Sequence, residues 1–134
     1  MPEHNIPQHG IFCWNELNTK DAAAAKTFYS ELLGWQLKES NSTDMPYTEI
    51  VVGGQHIGGI YQATAECGGG DDVPSHWMSY VAVDDVDAAA ARVEGLGGQI
   101  RVPPMDIPNV GRFTVITDPT GASISLIKLT GASS

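Results

Sequence analysis

One repetition constrains the fold of this chain more than any other feature. Leu33-Gly34-Trp35-Gln36-Leu37 is echoed by Leu96-Gly97-Gly98-Gln99-Ile100, and Trp14 by Trp77, both 63 residues apart. Alanine runs at Ala22 to Ala25 and Ala88 to Ala91 each follow an aspartate suited to capping a helix, Asp21 in one case and Asp84 or Asp85 in the other. A glycine, Gly34 or Gly97, stands where each helix should stop. The predicted apolar stripes are Ala24, Phe28 and Leu32 in the first helix, and Val86, Ala89, Val93 and Leu96 in the second. Strand-like runs surround the helices: 11–17, 35–38, 47–52 and 56–62, then 77–83, 99–102, 112–117 and 123–129. Gly53-Gly54 and Asp118-Pro119-Thr120-Gly121 read as tight turns. Each half is therefore β-α-β-β-β, and shared motifs in shared order mark an internal repeat.

Half a chain buries too little surface to fold alone. The expectation is an α+β fold: two βαβββ modules forming a shared, mostly antiparallel curved sheet, with helices outside and a concave cup for a ligand. All 134 residues then form one domain, with module one at about 10–62, module two at about 76–130, and a polar, glycine-rich linker at 63–75. The formal net charge of −9 argues against nucleic acid and anionic membrane as partners. No window offers the roughly 18 apolar residues of a spanning helix. The N-terminal stretch lacks the basic and apolar regions of a signal peptide, so the expected location is cytoplasmic. Cys13 and Cys67 have no metal-type spacing and read as reduced thiols.

Three segments carry a family resemblance: TKDAAAAKTFYSELLGWQL (Thr19 to Leu37), YVAVDDVDAAAARVEGLGGQI (Tyr80 to Ile100) and VGRFTVITDPTGASISLI (Val110 to Ile127). They resemble the vicinal oxygen chelate superfamily, which includes glyoxalase I, extradiol dioxygenases, and the bleomycin and fosfomycin resistance proteins; the likeness is closest to small bacterial glyoxalase-like proteins. The resemblance implies a cup in each module. In metal-binding members it implies a His or Gln on each module's first strand and a Glu on each last strand, leaving open positions for an oxygen substrate. Carried onto this chain, the first-strand positions fall at Trp14 and at Met78, or at Trp77 if the repeat offset is used. The last-strand positions fall near Gly58 or Gly59 and at Ser125. None is a strong ligand for a divalent cation, so no cofactor is expected. A rearranged site from Glu16, Glu49, His56 and His76 is the remaining route to a divalent metal.

The candidate ligand-binding residues are Trp14, Glu49, His56, Met78, Tyr80, Arg112 and Ser125, with Glu16 as candidate catalytic base. Several have a plainer reading. Trp14 walls the cup or packs core. Glu16 takes a proton beside a carbonyl, or sits at the rim paired with Arg112 or Lys38. Tyr80 meets a ligand or bonds backbone. His56 caps a hairpin, His76 sits exposed at a linker end, and Arg112 holds an anion or forms a surface ion pair. His4 and His9 lie in a loose tail and carry little weight. Pro103-Pro104-Met105, with Pro108, is expected to be a rigid loop over the cup mouth. Two functions follow: a metal-free binder of a small aromatic or amphipathic molecule, or a lyase, isomerase or dioxygenase using a rearranged metal or Glu16. The expected partners are a small-molecule ligand and a second copy in a homodimer.

Overall fold

The computed structural model describes residues 8–40, 47–63, 74–107 and 110–129; His4, Cys67, Pro108 and most of the expected linker lie outside them. Eight strands and two helices follow one another as β1 (Phe12–Thr19), α1 (Ala22–Leu33), β2 (Gln36–Ser40), β3 (Tyr47–Val52), β4 (Gln55–Gln62), β5 (His76–Ala82), α2 (Val86–Val93), β6 (Gln99–Ile107), β7 (Gly111–Thr117) and β8 (Ser123–Leu129). The fold is thus mixed α+β, with β-α-β-β-β occurring twice. Contacts group the chain into two compact units: Trp14–Met78, and the described residues up to Cys13 together with those from Ser79 onward.

In the first unit the strand order is β2-β3-β4-β1. β2–β3 and β3–β4 are antiparallel and β4–β1 is parallel. Gly53 and Gly54 both take positive φ, at 57° and 82°, so the β3–β4 turn accepts no ordinary side chain there without strain. Asp21 caps α1 by accepting from the Ala24 N–H at 3.0 Å, and Gly34 ends it in the left-handed region. The core of this unit is Leu17, Ile50 and Ile60, with Ala22, Ala25 and Tyr29 of α1 packed against it.

That contact corrects the predicted stripe. Phe28 and Leu32 are 57 % and 62 % exposed; the face of α1 toward the sheet is the neighbouring one, through Ala22, Ala25 and Tyr29. Small alanines let the helix backbone approach the sheet, while Tyr29 supplies the bulk.

In the second unit the order is β5-β8-β7-β6, with β5–β8 parallel and the other pairs antiparallel. Asp85 caps α2 through the Ala88 N–H. Val86 and Val93 are buried, whereas Leu96, in a 3₁₀ turn after the helix, is 65 % exposed and outside the packed stripe. The expected Pro-rich loop is instead part of β6: Met105 pairs with Phe113, and the register shifts around Val102 accommodate Pro103 and Pro104. β6 ends the β5-β8-β7-β6 order, which is where proline is tolerated in a sheet.

The repeat register also changes within the helices. Asp21 and Asp85 are 64 residues apart, Gly34 and Gly97 only 63. Trp14 and Trp77 are consequently not equivalent. Trp14 has the opposite strand parity to Leu17, whereas Trp77 contacts Tyr29, which packs beside Leu17. Met78 is therefore the repeat partner of Trp14.

Candidate functional site

Alternation fixes what the helix-free face of the first unit carries. Leu17, Ile50 and Ile60 point toward α1, so Trp14, Glu16, Glu49, Gly59 and Tyr61 share the other face. Glu16, Gly59, Glu49 and Lys38 form one rung across β1, β4, β3 and β2. Gly59 leaves a gap in that rung, and Tyr47 fills it. A Cβ on Gly59 would overlap the Tyr47 hydroxyl and ring. The hydroxyl accepts from Trp14 Nε1 at 2.9 Å and donates to Glu16 Oε2 at 2.8 Å. Beside this chain the Tyr61 ring lies nearly parallel to Tyr47, with centroids 6.4 Å apart and planes 22° apart. The outcome is an indole, a phenol and a carboxylate joined in series, all half-buried.

Glu49 and His56 meet on the same face, where His56 Nδ1 touches Glu49 Oε1. The bulge between Ile50 and Val51 brings His56 opposite Val51 and so onto the Glu49 side. The pair is open to solvent, with the His56 and Glu49 side chains 44 % and 25 % exposed.

In the second unit Tyr80 is buried and registers with Ser125, which registers in turn with Val115. Ser125 is fully buried, and its Oγ finds no hydrogen-bond partner among the described residues. Met78 is half-buried and shares the strand parity of Tyr80. Arg112 is on the other side. Its Nε and Nη2 bind the Asp87 carboxylate of α2 at 2.8 and 2.9 Å, and Nη1 reaches Asp106 at 3.1 Å. The Arg112 hydrogen bonds hold the Asp87 carboxyl below its ordinary range, and Asp87 and Asp106 together raise the guanidinium. Arg112 thus clamps α2 to the sheet and does not join Tyr80 and Ser125. His76 donates through Nδ1 to the Pro74 carbonyl, and His9 Nδ1 accepts from the Asp84 N–H, so His9 ties the start of the described chain to the α2 approach. Burial raises the Cys13 thiol.

The residues at the positions the family resemblance gives to metal ligands do not fit a divalent cation. The Trp14 nitrogen carries a hydrogen and spends it on Tyr47. The Gly59 position is filled by that tyrosine. Met78 offers a thioether and Ser125 a neutral hydroxyl, both poor ligands for hard or borderline ions. No group of three or more His, Cys, Asp or Glu side chains is placed to hold a metal among the described residues; Glu49 and His56 make only a pair. Tyr47 and Tyr61 are the residues that sequence reasoning missed. Their signal was Gly58-Gly59 in mid-strand, which marks a close approach by something else.

Residues 11–126 match the family model described as Glyoxalase/Bleomycin resistance protein/Dioxygenase superfamily. The "Putative glyoxylase CFP32" of Mycobacterium tuberculosis is 37 % identical over 131 residues, covering 94 % of this chain and 48 % of that protein. The anthracycline biosynthesis protein DnrV of Streptomyces peucetius is 32 % identical over 127 residues, covering 87 % of this chain and 46 % of its own length. The chain therefore spans about half the length of the curated relatives it matches. Among solved structures, a methylmalonyl-CoA epimerase bound to methylmalonyl-CoA superposes with a TM-score of 0.62 at 15 % identity, covering 92 % of this chain and 96 % of that one. A Mn(II)-bound glyoxalase from Novosphingobium aromaticivorans gives 0.59 at 19 % identity, covering 90 % and 39 %. At these identities the structures share the fold alone. No helix among the described residues is long and apolar enough to cross a membrane.

Proposed function

Because the chain belongs to the Glyoxalase/Bleomycin resistance protein/Dioxygenase superfamily, we propose that it binds a small organic molecule on the helix-free face of module one without the family's divalent metal. The observation that carries this reading is the Trp14–Tyr47–Glu16 chain over Gly59. Where a metal-binding relative needs electron-pair donors, this face presents aromatic rings flanked by a carboxylate. Such a surface suits a molecule with a flat apolar part and a polar group to be oriented. Tyr80 and Ser125 are the corresponding candidates in module two. A homodimer remains part of the proposal, since paired copies are a common way to enclose a face of this kind.

The test is metal dependence. The protein is dialysed against chelator, assayed for metal, and melted with and without Zn²⁺, Ni²⁺, Mn²⁺ or Fe²⁺. The expected result is no stoichiometric metal and no shift in melting temperature; tight one-to-one metal binding would overturn the metal-free reading. In a thermal-shift screen of small molecules, Trp14→Ala should weaken the best hit by about tenfold, as expected for an aromatic anchor.

A second reading has one observation in its favour. Glu16 is half-buried and accepts from Tyr47 at 2.8 Å, which couples a carboxylate to a phenol that can relay a proton. Glu16 then acts as a metal-free base beside a carbonyl. Unchanged turnover in Glu16→Gln on any substrate found would remove that role.

A further inference from the structure

A separate groove lies on the α1 side of the same compact unit, between the end of β1, α1 and the start of β5. Its volume is about 420 Å³, within the range that small molecules occupy. One end is aromatic. Phe28 meets Tyr29 edge-on at 5.0 Å, and Tyr29 meets Trp77 edge-on at 5.5 Å. Trp77 Nε1 donates to the Tyr29 hydroxyl at 3.2 Å, which fixes the indole. Phe28 and Trp77 nonetheless remain 57 % and 40 % exposed.

The groove is also lined by Thr19 and Asp21. Asp21 Oδ1 takes the Ala24 N–H, and its carboxylate has further lone pairs. Thr19 Oγ1 accepts from the Asp21 N–H and lies 3.4 Å from the Ser75 hydroxyl, so the turn bearing Asp21 is held in place.

We propose that this groove is a second small-molecule site, taking a compact aromatic molecule with a hydroxyl or amine hydrogen to donate. The rings of Phe28, Tyr29 and Trp77 contact its flat part, and the Asp21 carboxylate receives its hydrogen. The site is independent of the Trp14–Tyr47–Glu16 face, because the strand residues it uses, Leu17 and Thr19, have the opposite parity on β1.

Saturation-transfer NMR on the full chain tests it with two probes, 4-ethylphenol and its methyl ether 4-ethylanisole. The phenol should saturate with an affinity roughly fivefold tighter than the ether, the size of one solvent-exposed hydrogen bond. Phe28→Ala should weaken both by about tenfold. Phe28 is mostly solvent-exposed, so an unchanged melting curve confirms that the variant is folded. Asp21→Asn, which keeps a helix-capping side chain, should erase the phenol's advantage and leave the ether unaffected, while Glu16→Gln should change nothing. Equal binding of both probes would overturn the donor requirement. Insensitivity to Phe28→Ala, or no saturable binding of either probe, would overturn the site. A response to Glu16→Gln alone would move the binding to the other face and leave the proposed function standing.

Discussion

On the helix-free face of module one, Glu16 and Glu49 flank a tyrosine ring lying over a glycine; at the matching rung of module two, Tyr80 stands beside Ser125 and Val115. The first arrangement is polar, half-buried and joined by hydrogen bonds. The second is buried, and it leaves the Ser125 hydroxyl unsatisfied among the described residues. The helices differ in the same sense: α1 exposes Phe28, Leu32 and Leu33, whereas α2 buries Val86 and Val93 and is fastened through Asp87 to Arg112. One backbone plan thus carries a half-buried hydrogen-bonded cluster in one copy and a buried pair in the other. The small residues on the last strands differ accordingly. Gly59 admits a phenol from two strand positions away in the rung pattern, while Ser125 is itself fully buried.

The largest expected effect separates Gly58 from Gly59. A Cβ on Gly58 would overlap the Asn15 backbone carbonyl on β1, which cannot move without opening the β1–β4 pairing. Gly58→Ala should therefore cost about 3 kcal/mol of unfolding free energy in urea titration. The atoms nearest a Cβ on Gly59 belong to the Tyr47 side chain, which can swing away. Gly59→Ala should cost less, about 1–2 kcal/mol, and still abolish ligand binding on module one. Equal losses for the two would mean that Tyr47 does not occupy the Gly59 gap.

Tyr47→Phe keeps the ring and removes the hydroxyl that links Trp14 to Glu16. About 1–2 kcal/mol of stability should go with it, and the Trp14 contribution to the fluorescence should shift as its N–H loses a partner. Ser125→Ala should act in the opposite direction. Removing a buried hydroxyl without a partner should leave stability unchanged or raise it by up to about 1 kcal/mol. A clear loss would mean that the hydroxyl is engaged, and would bring module two closer to module one in character.

The smallest effect is acid sensitivity. Asp87 has its folded pKa lowered, chiefly by hydrogen bonds from Arg112, and Asp118 chiefly by its hydrogen bond from Thr120. A carboxyl with a depressed folded pKa contributes stability above its unfolded value near 4 and loses it as pH falls through the folded value. Both groups are exposed, so the contribution is small. Arg112→Met should flatten the decline of melting temperature below about pH 4 without changing ligand binding on module one; an unaltered profile would remove Arg112 as its cause.

Local chemistry was legible because it acts over a few residues. Asp21 and Asp85 cap, Gly34 and Gly97 stop, and Asp118 organises its turn by accepting from Thr120 and Ala122. Helix faces were less so. Alanine, phenylalanine and leucine at Ala24, Phe28 and Leu32 form as good a stripe on paper as Ala22, Ala25 and Tyr29, and only the sheet beneath selects between them. Met105 shows the same limit, since two prolines before it signal a loop until β7 supplies a partner strand.

The amino-acid order by itself determined the doubled β-α-β-β-β plan, its turns and caps, and which residue types stand at the positions that the family resemblance gives to metal ligands. These follow from short-range backbone preferences and from residue chemistry that no fold can alter. Tertiary structure decided which side chains meet. A one-residue change of register places Trp14 and Trp77 on opposite faces, and the parallel β4–β1 pairing brings Tyr47 to Glu16 across 31 residues. Strand alternation has a period of two, so a single-residue slip reverses every side chain, and only the packed sheet fixes which way it falls.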